Sequence, residues 1–117
     1  HYAVGAALLT KDGRVYQGCN IENASFSATN CAERTAFFKA VYELHDFAAI
    51  AVVGGPAGKP VQAQDEPSGP CGVCRQVMQE FCGPDFEIHM QKAGGGVFTV
   101  KLPELLPFGF TKDSMEA

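Results

Sequence analysis

Positive charge is scarce in this sequence: nine Lys and Arg stand against 13 Asp and Glu, for a formal net charge of −4 and a pI near 5.2. With no Lys/Arg cluster, a polynucleotide footprint is disfavoured, because phosphate neutralisation needs concentrated positive charge. No apolar run approaches the roughly 18–20 residues of a bilayer span. The longest, residues 3–9, runs into Lys11-Asp12-Gly13 and has neither the basic leader nor the small-residue cleavage site of a secretory signal. Cysteine is sparse as well. Five in 117 residues is well below the roughly 8–10% of a disulfide-built scaffold, which points to a reducing, cytoplasmic compartment, where clustered cysteines bind metal or do chemistry. A composition of 46% hydrophobic and 19% charged residues suits one globular domain with its own core and leaves no room for a second. The chain begins at His1, inside what reads as a strand, so a natural segment is expected before it.

What is present reads in the order β-β-α-β-α-β-β. Residues 3–10 and 14–20 flank the Lys11–Gly13 turn signal as a hairpin. From Cys31 to Leu44, apolar residues recur every three or four positions, which predicts a helix with Asn30 as its N-cap. Residues 48–53 are nearly continuously apolar and predict a central strand covered on both faces. After an irregular connection over 55–69, a second helix is expected from near Pro70 to Gly83-Pro84, with Val73, Val77, Met78 and Phe81 as its stripe. Residues 86–91 and 97–102 read as strands, and 103–106 as a helical turn before the tail. This pattern is that of an α/β domain.

Cys71 and Cys74 stand three apart at the start of the second predicted helix, which places their Cβ atoms about 5–6 Å apart on one face. A lone C-x-x-C is ambiguous among a zinc site, thiol redox chemistry and two buried apolar cysteines. For a third thiol, Cys82 is about 12 Å further along the helix and out of reach. Cys31 opens a helix, where free N–H groups and the dipole favour a thiolate, whereas Cys19 on a strand end reads at least as well as a small buried residue. None of His1, His45 and His89 sits at a ligand spacing from the cysteines, so three thiolates leave an open fourth position, the mark of a catalytic zinc. Glu33 has two readings of equal weight: a capping-box glutamate after Asn30, or an acid that reaches a metal beyond the helix end. Arg34 can donate to a thiolate and offset the excess negative charge of a three-sulfur site.

Cys31-Ala32-Glu33 with Pro70-Cys71-Gly72-Val73-Cys74 resembles the zinc deaminase signature, with cysteine for histidine as first ligand. The stretches 4–9, 18–25, 30–36, 70–77 and 104–107 together resemble the small homotetrameric cytidine deaminases, in order along nearly the whole chain. The resemblance implies a three-layer α-β-α sandwich around a five-stranded mixed sheet, with the family's N-terminal helix lying before His1. It also implies one zinc per subunit on Cys31, Cys71 and Cys74, and hydrolysis of cytidine and 2′-deoxycytidine to their uridine counterparts with release of ammonia, as in pyrimidine salvage. By the same resemblance Glu33 transfers protons, Asn20 and Glu22 hold the ribose, and the Ala32 N–H and Gly69 carbonyl meet the base. Tyr2 lies against the substrate, and Phe110 covers the base in a neighbouring subunit of a homotetramer with shared sites. Neither polynucleotide nor membrane is implied as a partner.

This sequence departs from that pattern at Tyr2, where Phe is common, at Phe26, where Tyr is common, and in a longer connection over 58–67. Two other readings stand beside it. One is a deaminase of a related aminopyrimidine or aminopurine nucleoside, or of a nucleoside antibiotic. The other is a zinc-stabilised interaction domain without activity, which predicts a fourth protein ligand such as Cys19.

Overall fold

A single mixed sheet organises the computed structural model, which describes residues 2–43, 45–56, 69–91 and 96–116. β1 (Tyr2–Thr10) and β2 (Val15–Cys19) form the expected antiparallel hairpin, with Gly5 opposite Cys19 and Leu9 opposite Val15. Gly13 in its turn has φ 91°, a left-handed conformation that side chains disfavour. β3 (Phe47–Pro56) runs antiparallel to β1 and parallel to β4 (Glu87–Gln91), and β5 (Val97–Lys101) pairs antiparallel with β4. The order β2-β1-β3-β4-β5 makes β3 central, as its apolar run predicts. The α/β class and the five-stranded mixed sheet are those expected.

These pairings set where the helices begin. β2 and β3 are both antiparallel to β1 and therefore parallel to each other, so their C-terminal ends lie on one side of the sheet. α1 (Ala32–Val41) follows β2 and α2 (Gly72–Phe81) follows β3. In open α/β sheets that side is where ligands bind.

Alternating strand residues Leu8, Ile50, Ile88 and Val100 bury one face against Ala36, Phe37 and Ala40 of α1 and Cys74 and Met78 of α2. Phe37 meets Phe47 edge-on with ring centroids 5.1 Å apart and Phe86 at 5.9 Å. Each such fully buried side chain contributes about 1.5–3 kcal/mol. Ala51 and Val53 on the opposite face of β3 are exposed, so among the described residues this strand is covered on one face, not on two.

Helix boundaries differ from the sequence pattern in instructive ways. α1 has Cys31, not Asn30, at its N-cap. Asn30 is used elsewhere: its backbone exchanges hydrogen bonds with Ile21 at 2.8 and 2.9 Å, and its Nδ2 donates to Thr35 Oγ1 at 3.1 Å. Leu44 lies outside the described residues, as does the 58–67 connection. α2 begins at Gly72 with Cys71 as N-cap; Cys74 and Met78 form its buried stripe, while Val73 and Phe81 are exposed. The turn after β5 is α3 (Leu102–Leu105), where Glu104 accepts from the Lys101 N–H at 3.0 Å. A last short helix, α4 (Lys112–Glu116), was not expected from the sequence, being too short to show a period.

β2 passes so close under the start of α1 that a Cβ on Gly18 would lie 2.4 Å from the Ala32 carbonyl oxygen and 2.6 Å from the Ala36 nitrogen. Both are backbone atoms, so Gly18→Ala forces strand and helix apart. We expect it to destabilise the protein by about 1–3 kcal/mol, read as a lower Tm in thermal melts.

At the hairpin's other end, Tyr16 Oη stands 2.7 Å from both Glu43 Oε2 and His45 Nε2. The Tyr16 hydroxyl and then His45 hold the Glu43 carboxyl below its ordinary 4.5, and the Thr10 hydroxyl holds Asp12 below 3.8. Depressed carboxyl pKa values give stability that is present above the ordinary values and lost as pH falls through the folded-state ones. Tyr16→Phe should therefore shrink the difference in Tm between neutral pH and pH below 4.5; an unchanged difference would count against this linkage.

Candidate metal centre and cleft

Two helix starts meet at the end of the sheet where β2 and β3 finish. Cys31 and Cys71 both occupy extended N-cap positions, with φ/ψ of −76°/155° and −68°/166°. Their carbonyls accept the first helical bonds, from the Thr35 and Arg75 N–H groups, each at 3.0 Å. Each cap leaves its thiol at the positive end of a helix, where a thiolate is favoured. Cys74 adds a third sulfur from the first turn of α2.

The three Sγ atoms lie within 4.8 Å of one another, with Cys31–Cys71 at 3.5 Å and Cys71–Cys74 at 3.4 Å. Tetrahedral zinc with Zn–S bonds of about 2.3 Å needs sulfurs about 3.8 Å apart, so the donor set fits zinc with a small outward adjustment. Among the described residues no fourth His, Cys, Asp or Glu joins the group. Cys19 is exposed at the end of β2 and is not part of it, which removes the four-sulfur structural site. Cys82 is half-buried, and burial pushes its thiol up to about 12, in keeping with a core cysteine.

Charge around the sulfurs asks for a cation. Burial, followed by the Glu33 carboxylate, raises the Cys74 thiol above its ordinary range. Burial also opposes the Cys71 thiolate, but hydrogen bonds from the Cys74 backbone and from the Cys74 and Cys31 side chains outweigh it and lower that thiol. Three adjacent sulfurs can all ionise only against positive charge. Arg34 provides part of it: Nη2 donates to Cys31 Sγ at 3.4 Å, and this bond, more than the opposing burial, strengthens the guanidinium's hold on its proton. A divalent ion on three thiolates leaves one negative charge, which Arg34 offsets.

A cleft of about 760 Å³ opens beside the sulfurs. It brings together eight residues singled out in the sequence: Cys31 and Cys71, Ala32, Glu33 and Gly69, and Tyr2, Asn20 and Glu22. Glu33 is buried, at 4% exposure, and among the described residues makes no capping hydrogen bond. Of its two readings, the capping box therefore has no geometric support. Ala32 is the first residue of α1, where a backbone N–H has no partner within the helix. Asn20 acts as a brace: Oδ1 accepts from the Val4 N–H at 3.0 Å, and Nδ2 donates to the Tyr2 carbonyl at 3.0 Å and to Glu22 Oε1 at 2.8 Å.

Sequence reasoning missed Val4, Thr29 and Val52, which also line the cleft, as does Asn30, expected only as an N-cap. Val4 and Val52 look like any core valine, and only the registry of β1 on β3 brings them to the cleft. Phe110 lies apart from the cleft, 57% exposed, with its carbonyl held by Gln76 Nε2 at 2.9 Å.

Residues 1–90 match the family model described as the cytidine and deoxycytidylate deaminase zinc-binding region. The cytidine deaminase of Sporosarcina psychrophila is 45% identical over 97% of this chain and 79% of its own length. That of Halalkalibacterium halodurans is 48% identical over 97% of this chain and 81% of its own. Among solved structures, the cytidine deaminase of Burkholderia pseudomallei is 46% identical and superposes with a TM-score of 0.80, covering 94% of this chain and 83% of that one.

Replacing Arg34 by Met removes the donor to Cys31 while leaving all three sulfurs. Partners of metal ligands typically contribute about 10–100-fold in affinity, so we expect Arg34→Met to weaken zinc binding by about that factor in chelator competition. An unchanged affinity would show that the guanidinium contributes nothing to the metal site.

Proposed function

This chain belongs to the cytidine and deoxycytidylate deaminase family, and from that premise we propose that it hydrolyses cytidine to uridine and ammonia as a zinc enzyme, with its own residues in the following roles. The observation that carries the reading is the apposition, at one cleft, of three sulfur donors, with no fourth protein ligand among the described residues, and the buried carboxyl of Glu33. Cys31, Cys71 and Cys74 would hold the metal. When bound, zinc supplies a Lewis acid that lowers the pKa of a coordinated water from 15.7 towards about 7.

The remaining work falls to the protein. Glu33 takes a proton from the attacking water and passes it to ring N3 as the oxygen bonds to C4; it then moves the remaining proton of that C4 hydroxyl to the amino group, so that the C4–N bond breaks, C4=O forms, and uridine and ammonia leave. Its burial excludes competing bulk water from the transfer. The Ala32 N–H and the Gly69 carbonyl face the base as donor and acceptor. Glu22, fixed by Asn20, accepts from the ribose hydroxyls, which suits a carboxylate. Tyr2 packs against the substrate at the cleft. 2′-Deoxycytidine presents the same base to these groups and keeps the 3′-hydroxyl as a donor to Glu22, so it is proposed as a second substrate.

We further infer a homotetramer in which Phe110 covers the base in a neighbouring subunit. In its own subunit the ring is exposed and lies outside the cleft, and Phe81 and Met115, which line one depression with it, are exposed too, an apolar surface suited to burial between copies. A cytoplasmic setting is supported by five free cysteines; no helix among the described residues is long and apolar enough to cross a membrane.

Zinc-loaded protein mixed with cytidine should release ammonia as the ultraviolet spectrum shifts to that of uridine, with deoxycytidine as a parallel substrate. Glu33→Gln should keep its zinc and lose about 10²–10⁴ in turnover, the usual worth of general acid-base catalysis. A zinc-loaded parent protein that leaves cytidine intact would overturn the reading; equal loss of metal and activity in the variant would return Glu33 to a structural role.

A further inference from the structure

Arg75 follows the buried Cys74 in the first turn of α2 and sends its side chain back past the start of the helix. Nε donates to the Pro70 carbonyl at 2.8 Å, and Nη1 donates to the Leu105 carbonyl at the end of α3 at 2.9 Å. A Cβ on Gly69 would stand 3.4 Å from Nη2, so the guanidinium also lies close along that residue. One side chain thus touches the cleft-lining segment before Cys71 and ties it to the C-terminal part of the fold.

The bond to Pro70 matters because of what flanks it. Pro70 is fully buried, and its carbonyl lies before the helix, outside the pattern of intrahelical bonds, so it needs a donor from elsewhere. Arg75 is that donor. The proline ring fixes φ at about −65°, and a donor locked onto the carbonyl fixes ψ. With both angles set, the peptide plane that carries the Gly69 carbonyl and the one that leads into Cys71 are held in a fixed mutual orientation. Only a fork of coplanar N–H groups can hold two carbonyls at once in this way; a lysine ammonium is a point charge on a flexible stem.

We propose that Arg75 is a positioning residue that sets the spacing between the metal ligand Cys71 and the base-facing carbonyl of Gly69, by clamping the Pro70 carbonyl against that of Leu105. The inference rests on the roles given to Gly69 and Cys71 above. It deepens them by assigning the alignment of the reacting amino group with the metal to a residue that touches neither.

The test uses the full chain loaded with zinc, with Arg75→Lys and Arg75→Gln compared with the parent and with Glu80→Gln, an exposed change on the same helix. Three readouts are taken: the rate of zinc transfer to a colorimetric chelator, kcat and KM for cytidine, and inhibition by uridine, which lacks the exocyclic amino donor. Arg75→Lys should lose zinc about tenfold faster and lose about tenfold or more in kcat through misalignment, with KM, uridine affinity and Tm close to those of the parent. Glu80→Gln should match the parent throughout.

Parent-like zinc transfer and kcat in Arg75→Lys would overturn the proposal. So would losses in kcat, uridine affinity and Tm that move together, or failure of both variants to fold, since either would make Arg75 a support for the whole fold. If the parent itself fails to convert cytidine, the functional reading falls, whereas the zinc-transfer rates still decide whether Arg75 holds Cys71 in place.

Discussion

The structure turns on the meeting of two helix N-termini at one end of the sheet. Three sulfurs within 4.8 Å of one another are an unfavourable arrangement once ionised. They are tolerable here because each of the two cap positions faces the positive end of its own helix, and because Arg34 reaches Cys31. The strand pairings make the meeting unavoidable. With β2 and β3 parallel across β1, the helices that follow them start on the same side, and Gly18 lets α1 settle against β2 closely enough for Cys31 to approach Cys71. Moving either helix outward by the width of a methyl group would enlarge the sulfur triangle beyond what one ion spans.

Around that centre the work divides by type of backbone. On the proposed reading, the residues that bear on the reaction sit on first helical turns: Cys31, Glu33 and Arg34 at α1, Cys71 and Cys74 at α2. Residues given to the nucleoside's sugar sit on the segment after β2, where Asn20 spends its amide on the backbone of Val4 and Tyr2 and on the Glu22 carboxylate. This brace fastens the segment to β1, so on the proposed reading the sugar site would depend on the sheet and the metal site on the helices. The two are joined where the cleft is walled by both Val52 of the central strand and Ala32 of α1.

Much of this was legible in the sequence, for physical reasons that differ from place to place. The strands announced themselves because β3 is nearly all apolar and the hairpin has a turn that only glycine closes well. The sulfur cluster was legible because Cys71 and Cys74, three apart at a helix start, share one face, while Cys31 opens the other helix. The identity of the N-cap was not. Asn30 is the better capping side chain, but tertiary pairing with Ile21 and Thr35 claims it, and Cys31 takes the cap without a side-chain bond. The same competition decides Glu33, whose capping role depended on Asn30 being the cap. Val73 and Phe81 fit the apolar period of α2 and are nonetheless exposed, since periodicity shows a stripe without showing how wide the covering surface is.

The exposed apolar side chains on and beyond α2 raise a question of how the metal centre relates to other copies of the chain. Arg75 and Gln76, adjacent residues, hold the C-terminal segment at two points, the Leu105 and Phe110 carbonyls, at 2.9 Å each. The segment is therefore fastened to the same helical turn that supplies Cys71 and Cys74. On the proposed assembly the ring of Phe110 serves a neighbour's cleft, so the turn that shapes one metal site also aims the aromatic cover of another. A rotation of α2 that repositions Cys74 must move both anchored carbonyls, because hydrogen bonds of this length leave little slack. Shared sites would then be coupled through a rigid helix start, and the strength of that coupling would follow from how firmly the metal pins α2 to α1.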